Sequence, residues 1–358
     1  MHVALLANTA WLDEELSSYQ NLVVALIDEQ VRVAQVLPAD LPADDCSPFG
    51  ARLTWQQSRW RAVNRHRLVR LGEELQRMGV DLVHALDGRL WPAAAALAQR
   101  IEAAAVLTAF SYRDIKVAQQ LSKKINPARV AFVGTTEPIS SALREVLDPA
   151  VVVQTIVQGI HARTAAERPA RSPEALCAIV SGNGQLDDRY QSLLEGMMQV
   201  TEHHPLTQFF FDGQGSDQHQ IWREASRLGL LANMSLVPRR LGHRELLLRA
   251  DVLIHPQPLG RSRSLTLQAM AHGIAVLAHQ DPWLDYLIDH ETAWVLDRPN
   301  AEQWSGAIRR LIEQPQAAMD LGQRAQHWIS ENRLASQQIG RLLDLYRRML
   351  GSTLPFPG

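Results

Sequence analysis

Leu253–Gly273, LIHPQPLGRSRSLTLQAMAHG, is the stretch whose reading decides the fold. With Asp251 ahead of it, residues 251–255 form a brief apolar strand that Pro256 and Pro258 stop. A loop of Gly, Arg and Ser then feeds a helix predicted from Ser264 to His272, with Ser262 or Ser264 as its cap and Gly273 as its end. A loop entering a helix N-terminus presents backbone N–H groups and the positive end of a dipole, which favours phosphate and other anions. Arg261 and Arg263 place two cations beside it. Read alone, these residues fit an ordinary corner with solvated arginines as well as they fit an anion site.

The flanking sequence alternates short apolar runs with amphipathic ones. Strands are predicted at residues 3–7, 31–37, 81–84, 104–110, 130–134 and 151–157, then at 176–181, 208–212, 234–237, 275–278 and 293–296. Helices are predicted between them, including a long basic one over 56–78 and a short one near Trp283–Ile288. Such alternation is the pattern of a doubly wound parallel sheet, and it occurs twice. The polar, proline-containing residues 162–174 read as a linker. The expected domains are 1–161 and 175–330, each Rossmann-like, with 331–358 a helix packing back on the first. Ligands of open α/β sheets lie at the strand carboxyl ends, so two such halves imply a cleft between them.

The 358 residues exceed what one compact core usually holds. A net charge of -2 gives no general affinity for nucleic acid. Cys46 and Cys177 match no metal or redox spacing, so a reducing cytoplasm is the expected compartment. The opening MHVALLA is too short and lacks the basic residues of a signal peptide, and no apolar run is long enough to span a membrane. The arginines of 56–78 form a solvated face, or a contact surface for lipid headgroups or an acidic protein.

The order of motifs resembles the GT-B glycosyltransferases, particularly family 4, the retaining enzymes that use nucleotide sugars. Asp81-Leu-Val-His84-Ala is similar to the family's D-V-V-H-A strand, and Gln158-Gly159-Ile160-His161 sits where the family has N-G-V-D. Thr135-Thr-Glu-Pro-Ile-Ser-Ser-Ala-Leu resembles its S-x-x-L segment, and Phe211-Asp212-Gly213-Gln-Gly215 its V-G-D-G-P. Leu267-Gln-Ala-Met-Ala-His-Gly273 resembles L-E-A-M-A-C-G. The resemblance implies two Rossmann-like domains facing a cleft. It also implies a UDP-sugar donor, a glycan, lipid or small-molecule acceptor, and no metal or other cofactor, since D-x-D is absent.

Carried onto this chain, the resemblance places the donor against Gly213, Val237, Gly260, Arg261, Ser262, Arg263, Ser264, Leu265 and Gln268, with Arg189 near the diphosphate. It places the acceptor against Asp13, Glu14, His84 and Phe110, and gives His161, Ser111 and Asp114 as catalytic candidates. The departures are equally specific. The family's two donor-loop glutamates fall on Gly260 and Gln268, and its diphosphate-binding Arg and Lys fall near Gly182 and Asp188. Its Gly-Gly loop falls on Asp13-Glu14 and its first-domain histidine on Phe110. Two readings follow: a sugar transferase, or a GT-B-like binding or scaffolding protein without transferase activity.

Overall fold

The structure, a computed structural model, describes residues 1–42, 45–55, 61–161, 175–212, 219–237 and 243–351. It forms two compact units, Met1–Gly159 with Ser336–Gly358, and Ile160–Ala335. The first unit begins β1 (His2–Leu6), α1 (Thr9–Asp28), β2 (Arg32–Leu37), β3 (Ala51–Thr54), α2 (Arg61–Arg77), β4 (Leu82–Ala85). It continues α3 (Trp91–Arg100), β5 (Ala104–Ala109), α4 (Arg113–Ser122), β6 (Val130–Gly134), α5 (Glu137–Val146), β7 (Val152–Thr155). The second unit runs β8 (Cys177–Ser181), α6 (Asp188–Thr201), β9 (Gln208–Asp212), α7 (His219–Arg227), β10 (Met234–Val237), α8 (His243–Arg249), β11 (Val252–His255). It closes with α9 (Ser264–Ala271), β12 (Ala275–His279), β13 (Trp294–Leu296), α10 (Ala301–Glu313) and α11 (Pro315–Asn332). The last helix, α12 (Ala335–Met349), returns to the first unit.

Each unit holds one parallel sheet, ordered β3-β2-β1-β4-β5-β6-β7 in the first and β10-β9-β8-β11-β12-β13 in the second. The order reverses between β1 and β4, and again between β8 and β11. These are the points where open α/β sheets bind ligands. Strands covered on both faces read as unbroken apolar runs. That is why β4, β5, β11 and β12 are buried at every position.

In the first unit, α12 lays Ile339, Leu342, Leu343, Leu345 and Tyr346 into the core that β1, β4 and β5 share with α1. Full burial of one such side chain contributes about 1.5–3 kcal/mol, so this helix is a main source of the unit's stability.

Local chemistry moves several expected boundaries. Asn8 accepts a hydrogen bond from the Trp11 N–H at 2.9 Å and starts α1 at Thr9. Asp13 and Glu14, expected in a loop, therefore lie inside a helix. That helix is kinked at Glu15 (φ −123°), whose carboxylate is buried and accepts from Gln158 Nε2 at 2.8 Å. Edge strand β3 is mostly exposed and shows no alternation, and α4 buries only Ala118 and Leu121, so neither carried a periodic signal. Residues 283–288 form turns rather than a short helix.

Helix α2 buries Leu71 and Leu75 and exposes Arg65, Arg70 and Arg77. The linker 162–174 and residues 56–60 of the basic helix lie outside the described residues. Among the described residues, no helix is long and apolar enough to cross a membrane.

Candidate functional site

At the carboxyl edge of the second sheet, four neighbouring strands end in polar residues. Across the edge these are Asp212 of β9, Ser181 of β8, His255 of β11 and His279 of β12. None is more than 6% exposed. Arg263, just ahead of α9 and itself 3% exposed, spans two of them. Its Nη1 donates to Ser181 Oγ at 2.8 Å and to the Gly182 carbonyl at 3.3 Å, and its Nη2 donates to Asp212 Oδ2 at 2.8 Å. Sequence placed Arg263 as a cation beside a phosphate. In the structure it is joined to the Asp212 carboxylate, because a charge so deeply buried requires a partner.

Gly182 shows why the guanidinium arrives from this loop. A Cβ at Gly182 would stand 2.4 Å from the Tyr190 hydroxyl and 2.6 Å from its ring, so no side chain fits there. The loop after β8 cannot carry an arginine at that position, and Arg263 brings one to its carbonyl from across the switch point.

The slot of the family's first glutamate is equally altered. Gly260 has φ +57°, a left-handed conformation that suits glycine, and its N–H donates to Asp281 Oδ2 at 2.7 Å. The other carboxylate oxygen accepts from the Trp283 N–H at 3.1 Å. Burial raises the Asp281 carboxyl above its ordinary pKa, against the pull of those two donors. A buried acid thus stands beside the position that lacks one, supplied by the segment after β12.

Ser262 is fully buried, and it and the Arg263 backbone hydrogen-bond the Tyr286 hydroxyl. Gln257 ties this loop to the one after β8. It accepts from the Asn183 N–H at 3.2 Å and donates to the Gln185 carbonyl at 3.4 Å. The N-cap of α9 is Arg263, with no side-chain cap, so neither Ser262 nor Ser264 takes that role. The helix therefore begins, uncapped by side chains, at the edge of the switch point, where its dipole favours an anion.

His255 is 1% exposed, and neither ring nitrogen has a hydrogen-bond partner among the described residues. Burial first, then Arg263 and His279, push its pKa down to about 3. His279 differs, because its Nδ1 meets the Gln280 carbonyl at 3.0 Å.

The remaining predicted residues scatter. Leu265 is core, packed with Leu253, Leu267 and Val276, rather than presented at the surface of the loop. Gln268 and Arg261 are half-buried, and Val237 ends β10. Arg189 is exposed, with Nη1 3.4 Å from Asp187 Oδ2. Gly213 lies outside the described residues.

In the first unit, His84 is not a surface-facing group. Its ring is buried, with Nδ1 2.6 Å from the Tyr346 hydroxyl and Nε2 2.7 Å from Thr108 Oγ1, and burial lowers its pKa to about 3. Phe110 packs edge-on against Trp11 at 5.3 Å. Asp114 Oδ2 accepts the Phe110 and Ser111 N–H groups at 3.1 Å, and Ser111 Oγ accepts from the Arg113 N–H at 3.3 Å. Both catalytic candidates there are engaged in shaping their own loop. His161 is exposed and ends a described segment.

Sequence reasoning missed His255, Asp281 and Tyr286. For His255 the available signal was that a buried apolar strand ends in a polar residue, whereas Asp281 and Tyr286 lie beyond the end of β12 and carried no such signal.

The family model described as "Glycosyl transferases group 1" matches residues 165–328. No curated protein matches the chain at a significant level. Among solved structures, HepE of Anabaena in complex with UDP and glucose is 13% identical, with a TM-score of 0.76 over 97% of this chain and 100% of its own. Sucrose-phosphate synthase of Thermosynechococcus elongatus is 15% identical, with a TM-score of 0.76 over 98% and 99%. A glycosyltransferase of Rickettsia africae is 11% identical, with a TM-score of 0.76 over 98% of each chain. With neighbours of this kind along its whole length, the chain has the GT-B fold of the glycosyltransferases, and its second unit matches the group 1 model.

Proposed function

We propose that this protein transfers a sugar from a nucleotide donor, a UDP-sugar, to a glycan, lipid or small-molecule acceptor with retention of anomeric configuration. The observation that carries this reading is the guanidinium of Arg263, fixed at the carboxyl edge of β8 and β9 beside the N-terminus of α9. As the glycosidic bond breaks, charge develops on the leaving diphosphate. Preoriented N–H donors and a cation at that place stabilise it without reorganisation. Gln268, half-buried on α9, is the neutral hydrogen-bonding group offered to the ribose. Asp281 is the acid nearest the loop position that has lost its own. The match to the group 1 model and the UDP and UDP-glucose complexes of the Anabaena neighbour support the donor class.

A second reading, a binding or scaffolding protein without transferase activity, is favoured by two observations. Asp212 neutralises the buried arginine, and Trp11 with Phe110 fills the carboxyl edge of β1 and β5. Thermal unfolding with UDP, GDP and ADP tests the donor site. Ligand at 100 times its Kd is expected to add about 2.7 kcal/mol of stability. No response to any of the three would sink the donor-binding reading. UDP release from UDP-sugars in the presence of acceptors then separates enzyme from binder.

A further inference from the structure

The row Asp212–Ser181–His255–His279 contains one side chain that the fold does not use. Asp212 and Ser181 hold Arg263, and His279 has its neighbouring carbonyl. Among the described residues, His255 has no partner on either nitrogen. Burying a polar group in this way carries a cost that a hydrogen bond normally offsets.

Its direction follows from β11. Val252 and Ile254 join the core shared with α6 and α10, whereas Leu253 joins the core shared with α9. Side chains alternate along a strand, so His255 shares the α9 face with Leu253. The ring therefore stands at the end of the switch strand, on the side from which α9 presents its N-terminus.

Its charged surroundings are one-sided. Arg263 on the loop and His279 at the end of β12 both disfavour a second positive charge. Asp212 offsets Arg263 from β9, and Asp281 and Tyr286 stand beyond, on the segment after β12. A diphosphate brought to the α9 N-terminus reverses that balance and supplies the missing acceptor. A charge-assisted N–H···O–P bond is among the stronger hydrogen bonds available.

We propose that His255 is a ligand-contacting residue of the donor site, whose imidazole takes the nucleotide's diphosphate as its hydrogen-bond partner and binds a proton from solvent as it does so. The inference rests on the donor-site reading above. In the proton balance, one solvent proton joins the neutral ring as the diphosphate docks, and it is returned when the nucleotide leaves.

The test is calorimetric titration of UDP into the full chain at pH 7, in two buffers of different ionisation enthalpy, which counts protons taken up per nucleotide bound. The wild type is expected to take up protons, and His255→Phe to take up about one fewer while binding UDP about tenfold more weakly. Phenylalanine keeps the ring volume, and a thermal melt reports whether the variant folds. Zero uptake or net release by the wild type overturns the proposal without any variant. Equal affinity and equal proton count in a folded His255→Phe protein also overturn it, while UDP binding itself leaves the donor-site reading standing. Absence of UDP binding to the wild type removes both.

Discussion

His84 and His255 stand at corresponding places in the two units. Each lies near the carboxyl end of the strand that pairs with its sheet's first strand across the reversal point, β4 beside β1 and β11 beside β8. Each is almost fully buried, and burial holds each ring neutral, with a pKa near 3. They differ in their partners. His84 is bonded on both nitrogens, to Tyr346 and Thr108, and serves to seat α12. Among the described residues, His255 is bonded on neither. Burial and titration do not distinguish a packing histidine from a ligand-ready one, whereas the hydrogen-bond account does. The same contrast extends along the two edges. The first is filled by the Trp11–Phe110 pair, and the second by polar groups around Arg263.

The largest perturbation targets the polar edge. Asp212→Ala leaves a buried guanidinium uncompensated and is expected to cost about 3–5 kcal/mol in chemical denaturation. Combining Asp212→Leu with Arg263→Met should recover most of that loss, since a well-packed apolar pair often replaces a buried ion pair at little cost. If the double variant is as unstable as Asp212→Ala, the pair does more than neutralise itself.

Acid is next. Above pH 6.5 both rings are neutral in the folded and unfolded chains, so neither contributes a pH dependence. As pH falls below 6.5 the unfolded chain binds protons that the folded rings refuse, down to about pH 3. Stability should therefore drop by up to about 1.4 kcal/mol per pH unit for each histidine. His255→Phe should remove its share of that slope, and denaturation at pH 4.5 and 7 would show a parallel decline if it does not.

Tyr346→Phe tests the packed edge. It deprives His84 of one partner and is expected to cost about 1–3 kcal/mol with no change in UDP affinity. A change in UDP affinity would mean that the two edges are coupled.

The smallest effect concerns the loop. Gly260→Ala adds a Cβ at a left-handed position and should cost about 1–2 kcal/mol. A thermal melt showing no loss would mean that the Gly260 conformation adapts freely.

Fold and site were not equally legible in the sequence. The parallel sheets followed from apolar runs at regular spacing, because a strand covered on both faces has no polar alternation to obscure it. β3 and α4, lying at the margins with little to bury, gave no such pattern. Motif spacing located the loop around Gly260 and Arg263, but it could not say where the Arg263 side chain goes. That depends on the Tyr190 ring closing the space above Gly182 and on Asp212 from another strand, both remote in sequence. Asp281 is likewise near Gly260 only through the pairing of β11 with β12.

The return of α12 has a consequence for biosynthesis. The second unit is contiguous, Ile160–Ala335, and lies inserted within the first. On the ribosome it has all its residues before α12 emerges, so it can close while the first is still incomplete. Throughout that interval the first sheet lacks the helix that covers Leu5, Val106 and His84, and presents an apolar face to chaperones or to its own neighbours. The half of the molecule that is made first is thus the half that must be finished last.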